Sequence, residues 1–167
     1  MMDRDLAILF ENCLPNTLDT TVLSYSADNT PTEDLDSFII TGDIEAMWLR
    51  DSTNQVWPYL RFVKDDLPLK NLIRGLINRQ IKSVILDPYA NAYHKDPNQQ
   101  WGGHNDKTER KAGVFERKYE LDSLVSVLRL SVGYYEASRK TPSKTLSFSF
   151  LKTTRVFSTI GGQKELV

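Results

Sequence analysis

The chain holds a single cysteine, Cys13, so no internal disulfide can form. Cys13 falls in register with Leu6, Leu9 and Phe10 on one apolar stripe, which predicts a buried thiol rather than a nucleophile. No run approaches the roughly 18 to 20 apolar residues that cross a bilayer, and the opening MMDRDLAILF places two acids before a very short apolar stretch. Neither a membrane span nor a signal peptide is expected, and the compartment stays open. Net charge is also nearly absent, −1 from 21 basic and 22 acidic side chains, so no field draws in a nucleic acid or an anionic membrane. The sequence has no G-x-G-x-x-G, no Walker-type loop and no G-x-S-x-G elbow, which leaves nucleotide-binding and serine-hydrolase readings without support.

What is present suits one helical domain. The 167 residues, 40% of them apolar, suffice for one core, and residues 1–167 are read as a single domain. The Leu6 to Cys13 stripe predicts a first helix stopped by Pro15. TTVLSYS and SFIITGD carry strand-forming residues on either side of the turn-rich ADNTPTEDLD, which predicts a β-hairpin. A second helix is expected to open at Ser52 with Gln55 completing a capping box, and to break near Trp57 ahead of Pro58. Leu69, Leu72, Ile73, Leu76, Ile77, Ile81 and Val84 form one stripe before Asp87-Pro88 and predict a helix of about five turns.

Residues 89–113 are polar, show no period and read as a long loop of the kind that tends to be functional or disordered. Leu121, Leu124, Val125, Leu128 and Tyr135 then mark a helix whose first turns are expected to hold FERKYELDS. Residues 138–149 read as a linker, followed by a weaker helix carrying Phe150, Leu151, Val156, Phe157 and Ile160. One-sidedly apolar helices of this kind must pack on one another, so the fold class is mainly α.

Three constellations carry possible chemistry. Arg50 and Asp51 follow the apolar Met47-Trp48-Leu49 run. A guanidinium fork beside a carboxylate can bracket two adjacent hydroxyls of a sugar, each charge-assisted bond contributing about 1.5–3 kcal/mol out of water. Trp48 and Trp57 offer faces on which the C–H side of a pyranose can rest. The same pair also reads as a structural ion pair at a helix start.

Glu116 and Glu120 lie one turn apart if their segment is helical, as do Lys118 and Asp122. Asp51 with either glutamate can form a glycosidase pair, about 5–5.5 Å apart for retention or 6.5–9.5 Å for inversion, whereas the plainer reading is a solvated face of internal salt bridges. His94, Asp96, His104 and Asp106 have metal-ligand side chains, but neither a tight spacing nor H-E-x-x-H supports a site, and a polar surface loop is the default.

Four blocks, NCLPNTLDTTV, TGDIEAMWLRDSTNQVWPYL, DPYANAY and FERKYELDSL, in this order and at these separations, resemble glycoside hydrolase family 125 from about Leu9 to about Ala137. The resemblance implies an (α/α)6 toroid of helical hairpins, with the small β-hairpin near its N-terminus. It implies an inverting, exo-acting α-1,6-mannosidase that needs neither metal nor other cofactor and acts on a mannose-containing oligosaccharide or glycan. It further implies that Trp48, Arg50 and Asp51 line the pocket for the terminal mannose. Asn91, Glu116, Arg117 and Lys118 become pocket or supporting residues.

Family members usually have a tryptophan before ERKYE where this chain has Phe115, so an indole hydrogen bond is expected to be lost there. Members are also more than twice as long, with the general acid in an RPSDD-like block and the general base in an HES-like block, and neither occurs here. No catalytic residue is therefore expected within residues 1–167. The acid and base are expected in blocks beyond Val167, and binding without turnover is predicted for this N-terminal part. A non-catalytic mannose-binding or helical interaction module is the alternative.

Overall fold

The structure, a computed structural model, describes residues 3–27, 29–100, 107–109 and 111–139. It is mainly helical. Helix α1 (Arg4–Cys13) and the short α2 (Asn16–Thr20) lead into strands β1 (Val22–Tyr25) and β2 (Ser37–Ile39). Strand β3 (Met47–Trp48) runs directly into α3 (Leu49–Val56), which passes into a 3-10 helix (Trp57–Phe62). The long α4 (Leu67–Leu86), strands β4 (Ala92–Tyr93) and β5 (Val114–Glu116), and α5 (Leu121–Ser138) complete the order.

Helix α4 is the central element and follows its stripe. Asp66 caps it by accepting from the Leu69 amide at 2.8 Å, and Pro68 sits in the first turn, where a missing N–H costs nothing. Leu69, Ile73, Leu76, Ile77 and Val84 are buried, while Leu72 and Ile81 pack partly buried against the same core. Each fully buried side chain of this kind contributes about 1.5–3 kcal/mol. The helix ends at Asp87, whose backbone amide closes the last turn on Ser83 O at 3.1 Å.

Strands β1 and β2 pair antiparallel, with Tyr25 opposite Ser37. They are fixed to α4 by Arg79, whose guanidinium binds Asp36, and by Asn78, which donates to Leu35 O at 2.9 Å. Gly75 lies where α4 meets this pair, and a Cβ added there would fall 2.5 Å from Ser37 Oγ and 2.8 Å from the Asp36 carbonyl carbon. The break foreseen near Trp57 occurs at the change from α3 to the 3-10 helix, and Trp57 lies over Gly133 of α5, with the Arg129 guanidinium 4.0 Å from its ring centroid. That packing occupies Trp57 and removes it as a sugar platform.

Several expectations are corrected. Helix α3 opens at Leu49, three residues before Ser52, and its N-cap, Trp48, makes no side-chain capping bond. Ser52 instead donates to Trp48 O at 2.7 Å and Gln55 to Ile40 O at 2.9 Å, so no capping box forms and Asp51 lies within the first turn. The FERKYE segment is a strand and an extended run rather than helix, because Glu116 pairs with Ala92 and Glu120 keeps extended dihedrals as the N-cap of α5.

The buried face of α5 is Leu124, Val127, Leu130 and Tyr134 with Ser123, Ser126 and Ser131, while Leu121 and Val125 are exposed. Small serines let α3 approach, which rotates the helix away from its most hydrophobic stripe. Cys13 is exposed, as are Leu6, Leu9 and Phe10, because nothing among the described residues packs over that face of α1. The polar stretch 89–113 contains β4. Of the expected linker over residues 138–149, Ser138 is instead the last residue of α5, while residues 140–149, the helix around Phe150 and Val167 lie outside the described residues, as does the expectation of an acid and base beyond Val167.

Gly75→Ala should destabilise the protein by about 1–3 kcal/mol in urea unfolding, since the new methyl meets backbone that cannot yield. An ordinary helical glycine gives the opposite sign, a gain of up to about 1 kcal/mol.

Candidate functional site

Strands β3, β4 and β5 form an antiparallel sheet in that order, with Trp48 opposite Ala92 and Ala92 opposite Glu116. Register shifts by one residue in β5, since Tyr93 pairs with Val114, and Phe115 falls in the bulge between the two pairs. A bulge of this kind re-aims a side chain. Here it turns Phe115 toward the edges of two rings, Trp48 and His94, each with its centroid 5.3 Å away. Phe115 therefore makes aromatic contacts where the resemblance anticipated an indole.

Beside that row lies Glu116, 8% exposed. Its Oε2 accepts from Asn91 Nδ2 at 2.6 Å and from the Trp48 indole at 3.3 Å, and its Oε1 from Lys118 Nζ at 2.6 Å. Burial pushes the Glu116 carboxyl up, but these three hydrogen bonds and the Lys118 charge outweigh it and hold the group below the usual carboxylate range. Asn91, fully buried, binds the Lys118 amide at 3.2 Å through Oδ1 and the Leu49 amide at 3.1 Å through its backbone carbonyl. Asn91 and Glu116 therefore stand behind the surface that Trp48, Phe115 and Lys118 present.

The Arg50 guanidinium meets three carboxylates. Nη1 lies 3.0 Å from both Glu120 Oε2 and Asp122 Oδ2, and Nη2 lies 3.5 Å from Asp51 Oδ2. The hydrogen bond to Asp122, with the charges of Asp51, Glu120 and Asp122, raises the Arg50 pKa against a smaller effect of burial. The same contact lowers that of Asp122. Glu120 also accepts from Ser123 Oγ at 2.8 Å. Asp51 differs from its neighbours: its side chain is 38% exposed, its contact is the long approach to Arg50, and its Oδ2 makes no hydrogen bond among the described residues.

Alternation along the extended run sends Glu116, Lys118 and Glu120 toward this group and Arg117 the other way. Arg117 Nε donates to Asp87 Oδ2 at 2.7 Å, its guanidinium lies 5.6 Å from the Tyr89 ring, and the bond to buried Asp87 raises its pKa. The structure thus joins Trp48, Asn91, Glu116 and Lys118 in one hydrogen-bonded group and Arg50 with Asp51, Glu120 and Asp122 in another, and places Arg117 on Asp87. Sequence reasoning missed Phe115 as a neighbour of Trp48 and His94 as a neighbour of Phe115, because their proximity depends on the bulge and on strand pairings that carry no sequence mark. His94 is 6% exposed, and its ring packs on Phe115. His104 and Asp106 lie outside the described residues.

This arrangement can now be set beside known proteins. The family model described as metal-independent alpha-mannosidase (GH125) matches residues 3–165. The chain belongs to that family. It is 49% identical over 141 residues to the Meiotically up-regulated gene 157 protein of Schizosaccharomyces pombe, covering 80% of this chain and 27% of that protein. It is also similar to a solved metal-independent alpha mannosidase of Streptococcus pneumoniae, described as a non-productive substrate complex with alpha-1,6-mannobiose. The likeness has a TM-score of 0.72 at 35% identity and covers 94% of this chain and 35% of that one. The chain thus spans about a third or less of the relatives it matches.

Asn91→Ala should cost about 2–3 kcal/mol in urea unfolding, since it leaves the Lys118 amide and one Glu116 bond unmatched in a buried place. Stability should also fall in two steps on acidification. His94 is held below its ordinary pKa, chiefly by burial, so the unfolded chain takes up its proton first and stability declines as pH drops from about 6.5. The Glu116 contribution is intact above about 4.3, the unfolded value, and is lost as pH falls through its lower folded value. His94→Gln should remove the upper step and Glu116→Gln should shrink the lower, to which Asp122 also contributes, as read by urea unfolding at a series of pH values.

Proposed function

We propose that these residues form part of the wall that holds the terminal mannose in an exo-acting, inverting α-1,6-mannosidase, within an (α/α)6 toroid, and that they bind the sugar without turning it over. The observation that carries the reading is the pairing of Arg50 with Asp51. Both side chains are partly exposed, 37% and 38%, and the long Arg50 contact is the one ion pair of Asp51 among the described residues, while Trp48, two residues earlier, packs its partly exposed ring on Phe115. A guanidinium donor next to an uncommitted acceptor matches vicinal hydroxyls, and the rings match the C–H face of a pyranose. Membership of the family and the likeness to a protein solved with alpha-1,6-mannobiose support the choice of sugar.

The absence of turnover follows from the carboxylates. A general acid needs a proton held near neutral pH, usually by burial among apolar groups. Glu116 and Asp122 are pushed the opposite way by their donors, and Glu120 accepts from both Arg50 and Ser123. Neither Glu116 nor Asp122 has the environment of a general acid, so these two do not supply the proton donor that the pair needs.

In isothermal titration of this chain with methyl α-mannoside, Asp51→Asn and Arg50→Lys should each weaken binding by about 10-fold or more, the equivalent of roughly 1.5–3 kcal/mol. Proton NMR of the chain with α-1,6-mannobiose should show no free mannose. Release above a buffer blank, with the β-anomer appearing first, overturns the claim that the pair lies elsewhere.

A further inference from the structure

We infer that Gln80 is a positioning residue for the Arg50–Asp51 pair, holding the first turn of α3 so that both side chains reach the sugar. The inference rests on the reading of that pair as mannose contacts. Gln80 projects from α4 and is fully buried. Its Nε2 lies 3.2 Å from Leu49 O, 3.0 Å from Ser52 Oγ and 3.0 Å from Thr53 Oγ1. Leu49 and Ser52 flank residues 50 and 51 directly in the chain, and Thr53 follows.

The hydrogen-bond directions leave the amide one orientation. Ser52 Oγ donates to Trp48 O at 2.7 Å and Thr53 Oγ1 donates to Ser126 O at 3.3 Å, so both hydroxyl protons are committed. Each hydroxyl can then only accept from Gln80, and what faces them must be the nitrogen with its two N–H groups. Gln80 Oε1 makes no hydrogen bond among the described residues. A methionine would fill a similar volume without burying an unpaired oxygen; what it lacks is the two donors.

Helix α3 has need of an outside grip. It runs eight residues, has no side-chain cap at its N-terminus and changes to 3-10 geometry at Trp57. A helix this short has little stiffness of its own. Leu49, Ser52, Thr53 and Val56 form its buried face, and Arg50 and Asp51 lie toward the other. Fixing the buried face at three atoms therefore fixes where the guanidinium and the carboxylate point. The Thr53 bond to Ser126 extends the grip to α5, whose first turn supplies Asp122 to Arg50. Recognition groups need placement within about 0.5 Å, and a loosened turn forfeits it.

The test compares Gln80→Met with Ile73→Val, a core truncation on the same helix at a side chain that can make no hydrogen bond to that turn. Both are followed by circular dichroism, by thermal unfolding, by NMR titration with methyl α-mannoside and by the Arg50 Nε–H resonance. Gln80→Met should stay helical yet bind at least 10-fold more weakly, with the Arg50 resonance shifted. Ile73→Val, at a comparable loss of melting temperature, should leave both unchanged. Equal affinity in the two variants, with the Arg50 resonance unmoved, overturns the role.

Should Gln80→Met fail to fold, Ser52→Ala removes one of the three acceptors, and a drop of about 3-fold with a smaller shift supports the role while no change in either overturns it. Should the unaltered chain not bind the mannoside, the sugar reading of Arg50 and Asp51 falls, and the Arg50 resonance still decides: a shift confined to Gln80→Met supports the grip on the turn, and none overturns it.

Discussion

Asn91 commits all four of its hydrogen-bonding groups to three residues in two distant segments, Leu49 in one and Glu116 and Lys118 in the other. Its backbone amide donates to Glu116 O at 3.2 Å, its carbonyl accepts from Leu49, and its side chain binds Glu116 Oε2 on one side and the Lys118 amide on the other. A short asparagine side chain reaches both partners only if β3, β4 and β5 already lie in register, and their register is secure only while Asn91 bridges them. The start of α3, the Glu116 carboxylate and the extended run leading to Glu120 all take their places from this joint. Two-residue strands such as β3 and β4 have little pairing energy of their own. Side-chain bonds that tie strand to strand supply the order that the ladder cannot.

The legibility of the fold follows from which elements carry their own signal. Helix α4 has a capping aspartate, a proline in its first turn, a stripe seven residues long and a stop at Asp87-Pro88, and each of these acts locally. Helices α3 and α5 meet through Ser52, Thr53, Ser123 and Ser126, residues whose value is smallness and hydrogen bonding, so a hydrophobicity pattern placed the α5 face wrongly. For α1 the period was right and its consequence was not: spacing shows that a helix has an apolar face, not what covers it.

The candidate site offered the sequence its residue types but not its geometry. The Arg50-Asp51 doublet stands out because two charges follow an apolar run. The resemblance to a known family drew in Asn91, Glu116, Arg117 and Lys118. What no sequence pattern indicated is that the FERKYE run is extended. Read as helix, it sets Glu116 above Glu120 on one face; as strand, it puts Glu116, Lys118 and Glu120 on the side of Trp48 and Arg50 and sends Arg117 to Asp87. The strand won because Ala92 and Asn91 offered backbone partners from a segment some two dozen residues earlier. Such non-local pairing routinely overrides local propensity.

Charge distribution favours a neutral polyol as the ligand. Lys118 is bound to Glu116 and Arg117 to Asp87, which leaves Arg50 facing Asp51, Glu120 and Asp122 at once. One guanidinium against three carboxylates makes the surroundings of Arg50 negative overall, so a phosphate or a sugar acid approaching it would be repelled by the flanking oxygens. A hydroxyl meets no such opposition. It can accept from the guanidinium and donate to the Asp51 carboxylate, whose side chain is 38% exposed. On the proposed reading of Arg50 and Asp51 as sugar contacts, the excess of acceptors over donors is itself a selectivity device, favouring a ligand that brings protons to share and no charge of its own.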